Sequence, residues 1–364
     1  MSHWEYTETE LWRHGEEGIS LYHVFGLIAM DETILAFAEA REGDAKDSCC
    51  IHHIDMRRST DGGRSFSASR RLLSGDQGIC FTNPVPVYDA QINRLFLFVS
   101  DNQDNCQTDN YLLHSDDRGI TWSAPKKIND YFSSDALPHA FHLAGPGHGI
   151  QLQRGPNAGR LIMPFWHRRY GVEKSAAERG YCISLLFSDD HGNTWQHTAP
   201  TGQSCLANES RIAETQDALL WFIRAGGKDC NRYLFRSEDD GVTWAHPAPL
   251  SLSPARQCDA GVIAFQGKAG WDHMLLLSRV SQLDRRNDME ICISTDDARS
   301  FPLRFSLPSG DAMPGYSDLC VIHEEEPVLG LLHCRSNHVL FSRISLQALT
   351  GGQYENTCRS VWLE

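Results

Sequence analysis

Cysteine and histidine can bind metals or carry out covalent chemistry with little help, and this chain has 12 of the first and 17 of the second. Cys49-Cys50 and His52-His53 lie close enough together to suggest a metal site. The simpler reading is small buried residues beside an exposed strand end, since no Cys-x-x-Cys pair supports a thiolate cage. No metal cluster, glycine-rich phosphate loop or nucleotide fingerprint is legible, so no cofactor is expected. A formal net charge of −14 argues against nucleic acid or an anionic membrane as partner. It leaves room for a small anionic ligand held by a local group of arginines.

Aspartate recurs in a pattern of its own. The segments beginning at Ser59, Ser115, Ser188, Ser237 and Ser294 share the form Ser-x-Asp-x-Gly-x-Thr/Ser-Trp/Phe, the last with Ala298 in place of glycine. Such a segment reads as a hairpin tip, in which the carboxylate caps backbone amides, the glycine takes a positive φ and the aromatic ring tucks beneath. Between these tips run short apolar stretches at 34–38, 94–99, 160–164, 218–224, 273–278 and 328–332. Each is bounded by turn formers, as buried strands are. Six buried strands with repeated hairpins predict an all-β chain folded as a six-bladed β-propeller of four-stranded blades.

The chain, residues 1–364, shows no linker and is expected to form a single propeller domain. The spacing predicts one short helix near 174–179, inside a loop between blades. No apolar run approaches the ~18 residues of a membrane span. The N-terminus is polar and acidic, unlike a signal peptide, and implies a reduced, cytoplasmic protein with no disulfide framework.

Five further segments carry a resemblance: Leu35-Ala-Phe-Ala-Glu-Ala-Arg41, Asn83-Pro-Val-Pro-Val-Tyr-Asp-Ala-Gln91, Gly145-Pro-Gly-His-Gly-Ile-Gln-Leu152, Asn208-Glu-Ser-Arg-Ile-Ala-Glu214 and Gly315-Tyr-Ser-Asp-Leu319. In this order, and together with the Asp-box hairpins, they resemble the exo-sialidases (neuraminidases) of animal cytosolic and bacterial type over roughly residues 18–350. The resemblance implies a retaining glycosidase acting on a glycan that ends in sialic acid or a related 2-keto-3-deoxy sugar acid.

It also implies roles for particular residues. Tyr316 matches the nucleophile and Glu209 the base that takes its proton. A phenol suits this work because the substrate's own anomeric carboxylate would repel a carboxylate nucleophile. Asp47 matches the acid/base, with Asp44 as the alternative; Arg41 is expected near that loop, and Glu39 at a strand anchor. Arg224 and Arg286 match two of three carboxylate-binding arginines, Arg285 being the one-residue alternative to Arg286.

The first of the three arginines is missing. Where the family has Tyr-Arg-Ile-Pro this chain has Tyr22-His-Val-Phe, which places His23 at the arginine position. The glutamate that orients that arginine is also gone, with His333-Cys334 at its place. Loss of a charge together with its counter-charge is the mark of a remodelled site, because either alone would be buried and unpaired. The expectation is that His23 meets the substrate's carboxylate and binds it better as pH falls through about 6.5.

Overall fold

The computed structural model describes residues 6–102, 104–136, 141–168, 180–226, 230–265, 267, 271, 273–286, 288–307 and 315–354. The expected helix near 174–179 lies outside the described residues. The strands form six antiparallel sheets, the third with a fifth short strand, arranged as the blades of a propeller. All six apolar stretches read from the sequence fall in the second strand of a blade: Thr33–Glu42, Arg94–Asp101, Leu161–Arg168, Leu219–Ala225, Met274–Val280 and Val328–Arg335. They are almost wholly buried because each is covered on both faces by neighbouring blades, so they read as continuous apolar runs rather than alternating ones.

The sixth blade closes the ring. Its first three strands come from the C-terminal part, and its fourth is Tyr6–Arg13, paired antiparallel to His338–Ser345. This explains why the hairpin motif occurs five times and not six. In blades one to five it joins the third strand to the fourth; in the sixth that junction is replaced by the two ends of the chain.

Each hairpin repeats one hydrogen-bond set. The Ser59 hydroxyl donates to Asp61 Oδ1 (2.8 Å) and accepts the Gly63 N–H (2.8 Å), while Asp61 accepts the Ser65 N–H (2.9 Å) and hydroxyl (2.6 Å). The same contacts recur at Asp117, Asp190, Asp239 and Asp296. The side-chain and backbone bonds from Thr121 draw the Asp117 carboxyl down to about 2. At the glycine position φ is positive in all five, including Ala298 at +63°. The aromatic residue packs across the blade junction in three of them: Phe66 on Phe341, Trp122 on Phe37, and Trp195 on Phe98.

A buried polar cluster ties the blades together near the axis. Asp318 of the sixth blade accepts the Leu27 N–H of the first (2.9 Å), meets His148 Nδ1 from the third (2.9 Å) and accepts from Arg211 Nη1 of the fourth (3.0 Å). Arg211 also pairs with Asp259, just before the fifth blade, and donates to the Ser317 carbonyl (3.1 Å). A buried guanidinium is sustainable only when its donors are satisfied in this way. The approach is close enough that a Cβ at Gly147 would sit 0.7 Å from Arg211 Nη1, so only glycine fits there.

Candidate functional site

Antiparallel strand order sorts the molecule into two ends. The starts of the first strands, the finishes of the second strands and the loops from second to third strand share one end; the repeated hairpins lie at the other. At the first end, a cavity of about 360 Å³ is lined by His23, Arg41, Asp47, Glu209, Arg224, Arg286 and Tyr316. All seven residues singled out from the sequence therefore meet in one pocket of ligand size.

Local irregularities aim these side chains inward. The first strand Ile19–Met30 shifts register between His23 and Phe25, with Val24 at φ +50°. The strand Phe81–Asp89 shifts between Thr82 and Val85, with Asn83 at φ +51°, and Ala207–Glu214 shifts between Ala207 and Ser210. Each bulge places two lining residues in the cavity: His23 and Val24, Thr82 and Asn83, Asn208 and Glu209. Tyr316 enters just before the strand Ser317–Ile322, and Arg41 and Arg224 near the ends of second strands.

At the centre, the Tyr316 hydroxyl donates to Glu209 Oε1 in a short contact. Arg224 Nη1 bridges both groups, donating to Glu209 Oε2 and to the Tyr316 oxygen (2.9 Å). Burial, and then the Glu209 charge, hold the Tyr316 phenol well above its ordinary range, with Arg224 opposing. The phenol is thus protonated and hydrogen-bonded to a carboxylate in position to receive its proton. The Arg286 guanidinium carbon lies 5.9 Å from the Tyr316 ring centroid, and Arg286 makes no ion pair among the described residues. Arg286, not Arg285, lines the cavity.

Asp47 stands at the rim with its side chain 81% exposed, accepting from Arg41 Nη1 (2.7 Å). Partial desolvation works to raise its carboxyl, but the Arg41 charge and hydrogen bond outweigh it and hold Asp47 below its usual value. Asp44 is turned to Lys46 and Cys50 (Sγ 2.9 Å) and does not reach the cavity. Arg41 is held from behind by Glu39 (2.7 Å), which also accepts the Asn83 N–H (2.7 Å) and so couples the first blade to the second.

The surroundings of His23 oppose the titration expected of it. Its ring is 4.6 Å from that of Tyr316, and burial, followed by the charges of Arg41 and Arg286, pushes it well below 6.5. These surroundings favour the neutral ring. The surroundings match: His14 Nε2 is 3.9 Å from Cys334 Sγ, and burial pushes the Cys334 thiol up to about 12. His333 faces away from the pocket, toward Ser342 (2.9 Å) and Glu8. At the positions of the family pattern's arginine and glutamate stand His23, which lines the pocket, and Cys334, whose thiol lies near His14. The sequence reading missed His14.

It also missed an aromatic wall. Phe141, Leu143, Trp166 and Tyr181 line one side of the cavity, and Arg168 lies there with its guanidinium 4.4 Å from the Phe141 ring. A signal existed, for Arg168 ends the second strand of the third blade, nearly the position that Arg41 and Arg224 occupy in the first and fourth. The histidines beside the vicinal cysteines are accounted for by ordinary contacts. His52 meets the Lys46 carbonyl (2.9 Å) and Cys80 (3.1 Å), and His53 meets Glu42 (2.8 Å).

Residues 77–334 match the model of the BNR repeat-like domain. A sialidase of Micromonospora viridifaciens is 27% identical over 95% of this chain, which spans 55% of that protein's length. Sialidase-2 of Mus musculus is 26% identical over 83% of this chain and 85% of its own. Among solved structures, the Hadza microbial sialidase superposes with a TM-score of 0.81 at 23% identity, over 94% of this chain and 69% of that one. No helix among the described residues is long and apolar enough to cross a membrane. With its six blades, repeated hairpins and the Tyr–Glu–Arg group at the pocket floor, the chain belongs to the BNR repeat-like proteins of the exo-sialidase family.

Proposed function

We propose that the protein is a retaining exo-glycosidase that releases a terminal sialic acid or a related 2-keto-3-deoxy sugar acid. The observation that carries this is the hydrogen-bonded group Tyr316–Glu209–Arg224 on the floor of an arginine-lined pocket. A neutral phenol can approach an anomeric carbon that bears a carboxylate without like-charge repulsion. In the first step the Tyr316 oxygen bonds to the anomeric carbon, its proton passes to Glu209, and Asp47 protonates the departing glycosidic oxygen. Water then attacks the glycosyl-tyrosine, with Asp47 taking the water's proton and the phenolate recovering its own from Glu209.

Asp47 must start this cycle protonated, yet Arg41 favours its charged form. Substrate drawing the Arg41 fork away would restore the acid. Arg224 and Arg286 are the groups suited to the carboxylate, as planar forks that keep their charge. The missing first arginine removes contacts of roughly 1.5–3 kcal/mol each. A bidentate arm would then be worth on the order of 10²–10³-fold against an ordinary sialoside.

His23 and Cys334 at the places of the family's arginine and glutamate favour a second reading, in which the same machinery serves a sugar whose acid group is placed differently or is absent. One experiment addresses both. A sugar-acid fluoride carrying fluorine beside the anomeric carbon forms the glycosyl-enzyme quickly and releases it slowly. Wild type should gain one sugar mass, mapped by peptide mass spectrometry to Tyr316, while Tyr316→Phe gains none and still binds product. Labelling elsewhere, or turnover by the Phe variant near that of wild type, overturns the assignment. A panel of sialosides, deoxy-ulosonic acid glycosides and neutral glycosides separates the two substrate classes.

A further inference from the structure

We propose that Asp135, His142 and His167 form a binding site for a zinc-class divalent ion directly behind the wall of the pocket. The three donor atoms lie within 4.8 Å of one another, and all three residues are buried. No sequence spacing announces the group, because its members come from a turn and two different strands that only the fold brings together.

The placement follows from strand geometry. Phe141–Ala144 pairs antiparallel with Leu161–Arg168, so that Phe141 opposes Arg168, His142 opposes His167 and Leu143 opposes Trp166. Side chains alternate between the two faces of a sheet. One face of this pair gives Phe141, Leu143, Trp166 and Arg168 to the pocket. The reverse face therefore sets the two imidazoles against each other, Nδ1 to Nδ1 at 2.6 Å.

Several contacts fix the donors from outside. His167 Nε2 is 2.5 Å from the Ser184 hydroxyl, which His197 Nε2 also meets at 2.8 Å. A proton on His167 Nε2 leaves Nδ1 with a lone pair aimed inward, the arrangement by which a second ring nitrogen orients a ligating histidine. The His142 backbone is clamped by Thr108, whose hydroxyl accepts its N–H (2.9 Å) and donates to its carbonyl (2.6 Å). Phe132 stacks on the His142 ring at 4.4 Å and 7°, and the Phe132 carbonyl accepts the Asp135 N–H (2.9 Å).

Two imidazole nitrogens and a carboxylate oxygen suit zinc, cobalt or nickel, and not magnesium or calcium, which prefer all-oxygen sets. Ligand bonds of about 2.0–2.1 Å in a tetrahedron separate two nitrogens by about 3.3 Å, so binding would part the rings by about 0.7 Å. The ion would join the turn after Phe132 to both strands. It would do so where the inner edge of the blade is broken into Phe141–Ala144 and Ile150–Gln151, and where the aromatic wall of the pocket is carried.

The competing arrangement is a single proton shared between the two imidazoles, and wild-type protein alone decides between them. Protein made without a polyhistidine tag would be stripped with chelator, titrated with Zn²⁺ and, separately, Co²⁺, and compared with Asp135→Asn and His167→Gln. The expected result is one Zn²⁺ per chain, a raised Tm on loading, and the strong visible absorption of four-coordinate Co²⁺. Both variants should show at least tenfold weaker binding. Stripped wild type that takes up no stoichiometric Zn²⁺ overturns the proposal, as does uptake that both variants retain. A variant that fails to fold leaves the wild-type stoichiometry and Co²⁺ spectrum to decide.

Discussion

Restoring the missing arginine tests the remodelled slot most directly. In His23→Arg the new guanidinium would stand close to Arg41 and Arg286, whose charges already help to hold His23 neutral. Neither His14 nor the buried Cys334 thiol, which lie 3.9 Å apart, would offer it a counter-charge. Cys334→Glu alone buries a carboxylate with no cation. An uncompensated buried charge of this kind costs about 3–5 kcal/mol when its partner is absent. Both single variants should therefore lose stability, and the double variant should recover a large part of it, giving a coupling of about 2 kcal/mol or more. If the rebuilt pair presents the guanidinium to a substrate carboxylate, it adds hydrogen bonds of about 1.5–3 kcal/mol to the charged group. One such bond is a gain of roughly 10–150-fold in kcat/KM on an acidic sugar, and a full bidentate arm one on the order of 10²–10³-fold. The assay is hydrolysis of an aryl sialoside by wild type, both singles and the double, with Tm measured for all four. Additive stabilities, or a double variant no faster than the singles, would refute the idea that these positions once formed a charge pair. If half-buried His23 stays neutral, as its surroundings favour, its ionisation should leave KM flat from about pH 5.5 to 7.5. A KM that improves on acidification in wild type but not in His23→Gln would show that His23 does bind the substrate as a cation.

Two further outcomes follow from other parts of the molecule. Asp47→Asn should slow cleavage of an alkyl or sugar leaving group by about 10²–10⁴-fold, the usual range for general acid–base catalysis, and slow an aryl leaving group far less; equal losses for both substrate types would remove Asp47 from the acid role. Burial, chiefly, depresses two structural histidines, His52 and His333, to about 4. Their folded values lie below the unfolded value of about 6.5, so the stability they confer is complete above that pH and is lost as pH falls from there to about 4. At ~1.4 kcal/mol per pKa unit, each should contribute about 3 kcal/mol across that window. Urea midpoints of wild type, His52→Asn and His333→Asn at several pH values check this; equal pH slopes in all three would contradict it.

Much of the fold was legible because its signals are local. The Ser–Asp–Gly–Thr hairpin closes within eight residues using its own side chains, and the doubly covered second strands need no partner information to read as buried. Pocket candidates such as Tyr316, Glu209 and Arg224 were legible only through motifs matching a known family, since nothing local distinguishes a pocket glutamate from a surface one. Other parts required the assembled ring. Arg211, His148 and Asp318 sit inside the same motifs, yet their joining of blades at the axis is a product of closure. The charge state of His23 depends on burial, on Arg41 of its own blade and on Arg286 from the fifth, and the convergence of Asp135, His142 and His167 depends on one strand register. Hydrophobic pattern and turn chemistry act over a few residues and are written in the chain; desolvation and charge act through space, across residues that only the folded ring brings together.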